Sequence, residues 1–497
     1  MQGRMKTVIC YFLSVFCCTA CSLDIPYENQ FSDPDAITTP HTARELLATA
    51  YNSLPNPDFE LAVLGDDFVP TYLINRNANL NNLYKWQPQP IEDLSLSLWK
   101  DYYATIAIVN AVLERVDGIS VTTEREKLQL QCIISEGKIL KAYCYFNLLR
   151  LFAPDYGDGA EKDGIILKDQ FKLGFLKRSS IEECVKAIRT MLTEATEVDN
   201  NPAEIYWFSQ ISGYYLWAML ELYSRNYDQA IIYAGKVMEA KGGYDVLGES
   251  VYSKFWGNEA CAERIFSLFT TNSYYKDINY DRNKGDHLTL NSALLNLYSE
   301  GDIRYERTVY PLEMAGETGG VVIANCLGKY NKMNWEKKEI QYIHKFRVAG
   351  ACFILAEAYC KDGKEHDAQA IEVMNNYLAQ RRATLVDTQL TGDQLLKAIL
   401  QEKWKEFAGE GERYFDLKRY RKSILTGWNS NMKDKRVEKD DYRWTFPIPK
   451  AEYLYNENVS AAPGSVSQVR ESTGILLQLA KGLGISIFIV GHVTKEG

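Results

Sequence analysis

The chain has 497 residues, 46% of them apolar, enough to bury a sizeable core. A formal charge of −9 and a pI near 5.4 argue against a nucleic-acid partner, which asks for a basic surplus. The five His are isolated, with no second His or Cys three or four residues away, so no zinc spacing is present and no cofactor is expected.

Arg4 and Lys6 open the chain as a short basic region, and residues 8–20 follow as an apolar stretch of secretory-signal length. The stretch is too short for a comfortable membrane span. It closes on Cys18-Thr-Ala-Cys21. Small residues before a Cys read as a lipoprotein processing site, with Cys21 becoming the lipidated first residue. Cys18 stands where Leu, Val or Ile is usual. Residues 1–20 are thus expected as a signal peptide and 21–40 as a polar, lipidated tether, anchored to a membrane without spanning it. Of the 11 Cys, four lie in the leader; the other seven are scattered in apolar contexts and read as buried free thiols.

Helical pattern begins at about Thr42, where Leu46, Leu47, Ala50 and Tyr51 share a face. Residues 55–97 read as loop, with several Pro and the Asn-rich run 75–82 ahead of Tyr84 and Trp86. A long helix is expected over 98–117 and another over 136–152. Ser180-Ile-Glu-Glu183 is a capping box opening a helix to about Val198. Residues 213–240 and 353–379 each read as two helices around a short break. Ala356, Tyr359, Gly363 and Ala368 carry tetratricopeptide-like spacing: small residues let two helices approach, and Tyr fills the groove between pairs. Such units bury their faces only by stacking. Residues 242–345 hold no lasting helical period and are rich in Gly, Asn and Tyr.

Near the end runs Glu402-Lys-Trp-Lys-Glu-Phe-Ala-Gly-Glu-Gly-Glu-Arg-Tyr-Phe-Asp-Leu-Lys-Arg-Tyr420, followed by Phe446-Pro-Ile-Pro449. The carboxylates of the run alternate with Lys and Arg, which reads as a solvated, ion-paired helix face and not as a catalytic pair across a cleft. The run and the closing Phe-Pro-Ile-Pro resemble the signature of the SusD/RagB family, nutrient-binding outer-membrane lipoproteins, with the resemblance spanning about 21–458. It implies a mainly α fold: a tetratricopeptide-like helix-pair scaffold carrying a loop-rich irregular half at about 55–97 and 242–345, together one SusD-like domain over 41–458.

The resemblance further implies a surface-exposed outer-membrane lipoprotein that captures oligo- or polysaccharide and delivers it to a TonB-dependent, SusC-like transporter. The alternative is a peptide-capturing or structural lid of the same kind of complex. Neither reading is enzymatic. No fixed motif names the ligand residues. From residue type and loop position, Tyr84, Trp86, Tyr274, Tyr275, Tyr280 and Trp335 are expected as stacking platforms, with Asp66, Asp67 and Arg76 as polar partners.

The tail, 459–497, resembles an internal fragment of the DNA-repair ATPase RadA. The chain has no G-x-x-x-x-G-K-[ST] to cradle phosphates, so the fragment brings no nucleotide site. It reads as an in-frame fusion that does not fold independently, and a chain ending at Gly464 is expected to keep its binding.

Overall fold

The computed structural model describes residues 37–172, 174–269, 288–316, 319–330, 342–426, 435–456 and 458–459. The expected leader, Cys21 and the RadA-like stretch from 460 lie outside the described residues.

The scaffold begins with α1 (Pro40–Asn52), a Pro in its first turn and Thr39 as its capping residue. Two short helices follow, α2 (Asp58–Leu64) and α3 (Ala78–Tyr84), separated by β1 (Phe68–Pro70) and a 3-10 turn over Tyr72–Arg76. The 55–97 stretch is therefore not the expected loop. Asn77 caps α3 through its side chain, and the prolines at 88 and 90 sit in the first turn of α4 (Pro88–Arg115), where a missing N–H costs nothing. Read as loop formers, Asn and Pro here start helices.

Next come α5 (Glu124–Phe152), α6 (Ile181–Thr196), α7 (Gln210–Tyr223) and α8 (Tyr227–Lys241). The capping box expected at Ser180 and Glu183 is formed, and Thr123 with Glu126 makes another for α5. Successive helices pack side by side, α4 on α5, α5 on α6, α6 on α7 and α7 on α8. The stack resumes far along the chain, where α8 packs against a later helix, Val348–Asp362.

Between these lie α9 (Glu249–Trp256), β2 (Arg264–Phe269), β3 (Leu288–Leu290), α10 (Ser292–Leu295), α11 (Ile303–Thr308), β4 (Val309–Ala315), β5 (Val321–Leu327) and β6 (Tyr342–Arg347). The strands pair antiparallel in twos: β1 with β3, β2 with β6, β4 with β5. The mid-chain half is thus built of short elements that the helical stack holds in place.

The Val348–Asp362 helix is α12, and α13 (Asp367–Gln380) folds back on it. Then come α14 (Gly392–Phe407), α15 (Glu412–Arg419), the hairpin of β7 (Ile424–Thr426) with β8 (Lys435–Val437), and α16 (Lys450–Tyr455). The 402–420 run is two helices, not one. Gly409 and Gly411 break it, with φ of 79° and 78°. A Cβ at Gly409 would lie 2.1 Å from Leu327, and one at Gly411 3.0 Å from the Asp58 backbone, so both turns require glycine.

The charged face of that run is not solvated either. Glu406 is fully buried, and Glu410 and Asp416 nearly so. Asp416 takes Lys403 at 2.8 Å and Arg419 at 2.9 Å, which hold its carboxyl below the usual range despite burial. Glu410 meets Lys329 at 2.6 Å and Arg347 at 2.8 Å. The expectation failed because the partners come from other elements, which helix periodicity does not reveal. The seven cysteines expected as buried thiols are all free; Cys144, Cys184, Cys326, Cys352 and Cys360 are buried, whereas Cys132 and Cys261 are only half-buried.

Candidate functional site

Four of the expected ligand residues are among those described with a different role. Trp86 is 1% exposed; its indole N–H donates to the Leu64 carbonyl at 2.8 Å, and its ring packs on Tyr414 and Trp444. Tyr84 is 3% exposed and its hydroxyl meets Thr426 Oγ1 at 2.9 Å. Neither offers a face to a ligand: both fill the seam between α3 and the C-terminal hairpin. Asp66 is held by a two-pronged ion pair with Arg413, at 2.7 and 2.9 Å. Asp67 is fully buried, accepting from the Trp404 indole N–H at 2.6 Å and the Gly409 N–H at 2.9 Å. Burial pushes its carboxyl up to about 7. Arg76 is exposed at the end of the 3-10 turn. Tyr274, Tyr275, Tyr280 and Trp335 lie outside the described residues.

Asp67 ties β1 to the Gly409 turn with both carboxylate oxygens. An amide there puts an N–H against one of two N–H donors. Asp67→Asn is expected to lower stability by about 1–3 kcal/mol, read by chemical denaturation. A midpoint equal to the parent's would show that the contact is dispensable.

Aromatic surface is gathered elsewhere. Phe269 and Tyr342 face each other as the last pair of the β2–β6 ladder, with ring centroids 5.8 Å apart. The turn between α6 and α7 is docked beside them: the Ser267 N–H donates to the Ile205 carbonyl at 3.0 Å. This brings Tyr206 to 5.9 Å from Phe269 and stacks it on Tyr342 at 6.4 Å with an interplanar angle of 12°. Trp207 lies 4.9 Å from Tyr206. Phe269 is 56% exposed, while Tyr206, Trp207 and Tyr342 are half-buried, so four adjoining rings reach solvent.

Polar groups frame the rings. The Arg44 guanidinium stands 5.1 Å from the Trp207 ring, fixed by two 2.8 Å hydrogen bonds to Glu136. Arg264 lies 5.4 Å from the Tyr342 ring, and its Nε and Nη2 meet no partner among the described residues. Asn258 donates to the Tyr342 carbonyl at 3.2 Å. Rings of this kind present flat apolar faces with polar edges, the surface on which a sugar ring stacks and hydrogen-bonds.

The mid-chain half was the expected place for such a site, and it supplies Phe269 and Tyr342. Tyr206 and Trp207 were missed. Their signal was the consecutive Tyr206-Trp207-Phe208 in a Pro-containing turn between two amphipathic helices, a position that packing alone does not explain. Among the described residues there is no group of three or more His, Cys, Asp or Glu arranged to hold a metal, and no helix long and apolar enough to cross a membrane.

A family model described as "SusD family" matches residues 298–464, and one described as "Starch-binding associating with outer membrane" matches residues 24–218. Among solved structures, a SusD superfamily protein from Bacteroides thetaiotaomicron VPI-5482 is 20% identical, with a TM-score of 0.73 over 86% of this chain and 100% of that one. A putative sugar binding protein from Bacteroides vulgatus ATCC 8482 is also 20% identical, TM-score 0.73, over 86% and 99% of the two chains. A SusD-like carbohydrate binding protein from the same strain is 18% identical, TM-score 0.68, over 85% and 97%. At these identities the likeness is one of fold. The resemblance to RadA is also met. DNA repair protein RadA of Synechocystis sp. is 66% identical over 50 residues, 10% of either chain. That of Bacillus subtilis is 56% identical over 50 residues, 10% of this chain and 11% of that protein. The chain therefore spans only about a tenth of the length of these curated relatives.

Proposed function

The chain belongs to the SusD family, and on that premise we propose that it captures glycans at the bacterial surface and passes them to a TonB-dependent, SusC-like transporter. The observation that carries this reading is the four-ring cluster of Tyr206, Trp207, Phe269 and Tyr342. Its members come from three separate segments and are fixed by a strand pair and a backbone hydrogen bond, so the rings are pre-ordered and little entropy is lost on binding. Arg44 and the phenol hydroxyls of Tyr206 and Tyr342 supply donors and acceptors at the rim. Each contact is weak; a polysaccharide gains by engaging several at once. The lipid at Cys21 would hold the protein at the outer membrane. The work is binding and release, with no bond made or broken.

The test is affinity electrophoresis of the leaderless chain through gels carrying plant, host and microbial polysaccharides. Retardation by at least one of them is expected. No retardation by any, with folding confirmed by circular dichroism, overturns glycan capture; binding of a protein digest by the same sample would then assign the peptide reading. Co-purification of the lipidated chain with a barrel protein tests the transporter partnership separately.

A further inference from the structure

A cavity of about 110 Å³ lies inside the scaffold, where α4, α5, α7 and α12 meet α15. One water needs roughly 10–15 Å³ of such space, so there is room for about 7–11 waters, or for one molecule of about a dozen heavy atoms. The cavity is separate from the ring cluster: Phe346 lines it, and Phe266 and Phe208 pack behind Phe346 on the side toward the turn that carries Tyr206 and Trp207. Its half-buried lining residues, among them Met219, Arg150, Glu412 and Phe415, mark the approach from solvent between α7 and α15.

Two features of the lining define what would fit. The first is charge. Asp58 is paired with Lys345 at 2.5 Å, Asp416 with Lys403 and Arg419, Glu410 with Lys329 and Arg347, and Glu412 faces Arg150 at 3.6 Å. Asp155 faces Arg225 at 3.8 Å, and Lys418 donates to the carbonyls of Arg150 and Ala153 at 2.7 and 2.8 Å. Apart from Lys418, which carbonyls hold, the ions are already matched, so a charged guest would bring a largely uncompensated charge into a buried place.

The second is spare hydrogen-bonding capacity. Tyr102, Tyr143 and Tyr215 are 1%, 6% and 5% exposed, all line the cavity, and none of their hydroxyls has a hydrogen bond among the described residues. Tyr215 Oη lies where a Cβ on Gly350 would stand 1.8 Å away, so the glycine in α12 makes room for that hydroxyl. The Arg150 Nε–H is also unpaired, while its guanidinium is sandwiched by Phe415 at 3.8 Å and Phe146 at 4.8 Å. A buried Arg150 N–H without a partner and three phenol-bearing side chains on the wall of one void suit a guest that brings several hydrogen-bonding groups. Aromatic walls add apolar faces beside them.

We infer that this cavity is a second binding site, for a single small, uncharged, polyhydroxylated molecule of monosaccharide size. The site rests on the cavity alone and stands whether or not the surface rings bind glycan.

The experiment is isothermal titration of the full chain with D-glucose, D-galactose, D-mannose and myo-inositol, with acetate and inorganic phosphate as charged controls. Saturable binding of at least one neutral probe is expected, with neither control bound. Tyr215→Phe removes one hydroxyl and nothing else, and is expected to weaken binding about fivefold to tenfold. Met219→Trp, which fills the approach, is expected to abolish it. Trp207→Ala at the surface cluster is expected to leave it unchanged. Absence of saturable binding by any neutral probe overturns the site, leaving the space to water. Binding that survives both cavity substitutions in folded protein, or that Trp207→Ala removes, overturns it equally.

Discussion

Replacing Arg347 by methionine is expected to cost about 3–5 kcal/mol of stability, measured by denaturant unfolding. Arg347 ends β6 and is 1% exposed. Its guanidinium meets three carboxylates: Glu406, Glu410 at 2.8 Å and Glu263 at 3.4 Å. Arg381, at the end of α13, shares two of them, reaching Glu263 at 2.9 Å and Glu406 at 3.4 Å. The phenol of Tyr377 also donates to Glu406. Two arginines and a phenol around Glu406 hold its carboxyl below the ordinary range even though burial alone would raise it. Methionine keeps roughly the volume but leaves Glu406 and Glu410 short of a cation in a dry place. A companion experiment separates net charge from packing. Removing Arg347 and Glu406 together, as methionine and leucine, leaves Arg381 with Glu263 and Lys329 with Glu410. That double variant is expected to be more stable than Arg347→Met alone, because a matched pair is cheaper to lose than one partner. A single variant within about 1 kcal/mol of the parent would show that the cluster does not hold the helical stack to the mid-chain half.

That network also shows where sequence reading stops. The residues of the 402–420 run identified the family because each has a structural job: Gly409 and Gly411 turn the chain, Arg413 grips Asp66, and Arg419 meets Glu357. Spacing within one helix could not tell that Glu406 points inward, since its partners stand on β6 and α13. Local signals fared better. Ser180 with Glu183 marked a helix start because a capping box closes within four residues. The breaks at 224–226 and after 362 were legible from Asn, Asp and Gly for the same reason. Asp67 shows the opposite case. A loop aspartate near aromatics resembles a sugar ligand in sequence, and only the fold reveals Trp404 and Gly409 as its donors. Tyr and Trp are ambiguous at source, because the flat, amphipathic ring that stacks on a sugar also fills a core.

Two tryptophan substitutions turn that ambiguity into a measurement. Trp86→Ala is expected to destabilise the protein by about 3–5 kcal/mol, as a fully buried aromatic leaving a cavity. It loses contact with Tyr414 and Trp444 and takes from the Leu64 carbonyl one of its two donors, leaving Lys435 at 2.9 Å. Any loss of glycan binding should then follow the unfolded fraction and recover on cooling. Trp207→Ala is expected to behave in reverse. Its ring is half-buried at the rim, stacked under Arg44 and against the edge of Tyr51, so truncation costs little folding free energy. Removing an aromatic anchor from a binding surface typically costs about 2 kcal/mol, so affinity should fall about thirtyfold while the unfolding midpoint stays near the parent's. Tyr342→Ala should do the same from the opposite side of Tyr206, since those two rings are stacked. Folded Trp207→Ala and Tyr342→Ala variants that bind as the parent does would remove the cluster as the site. A Trp86→Ala variant that stays folded but no longer binds would return the site to the α3 seam, against its burial.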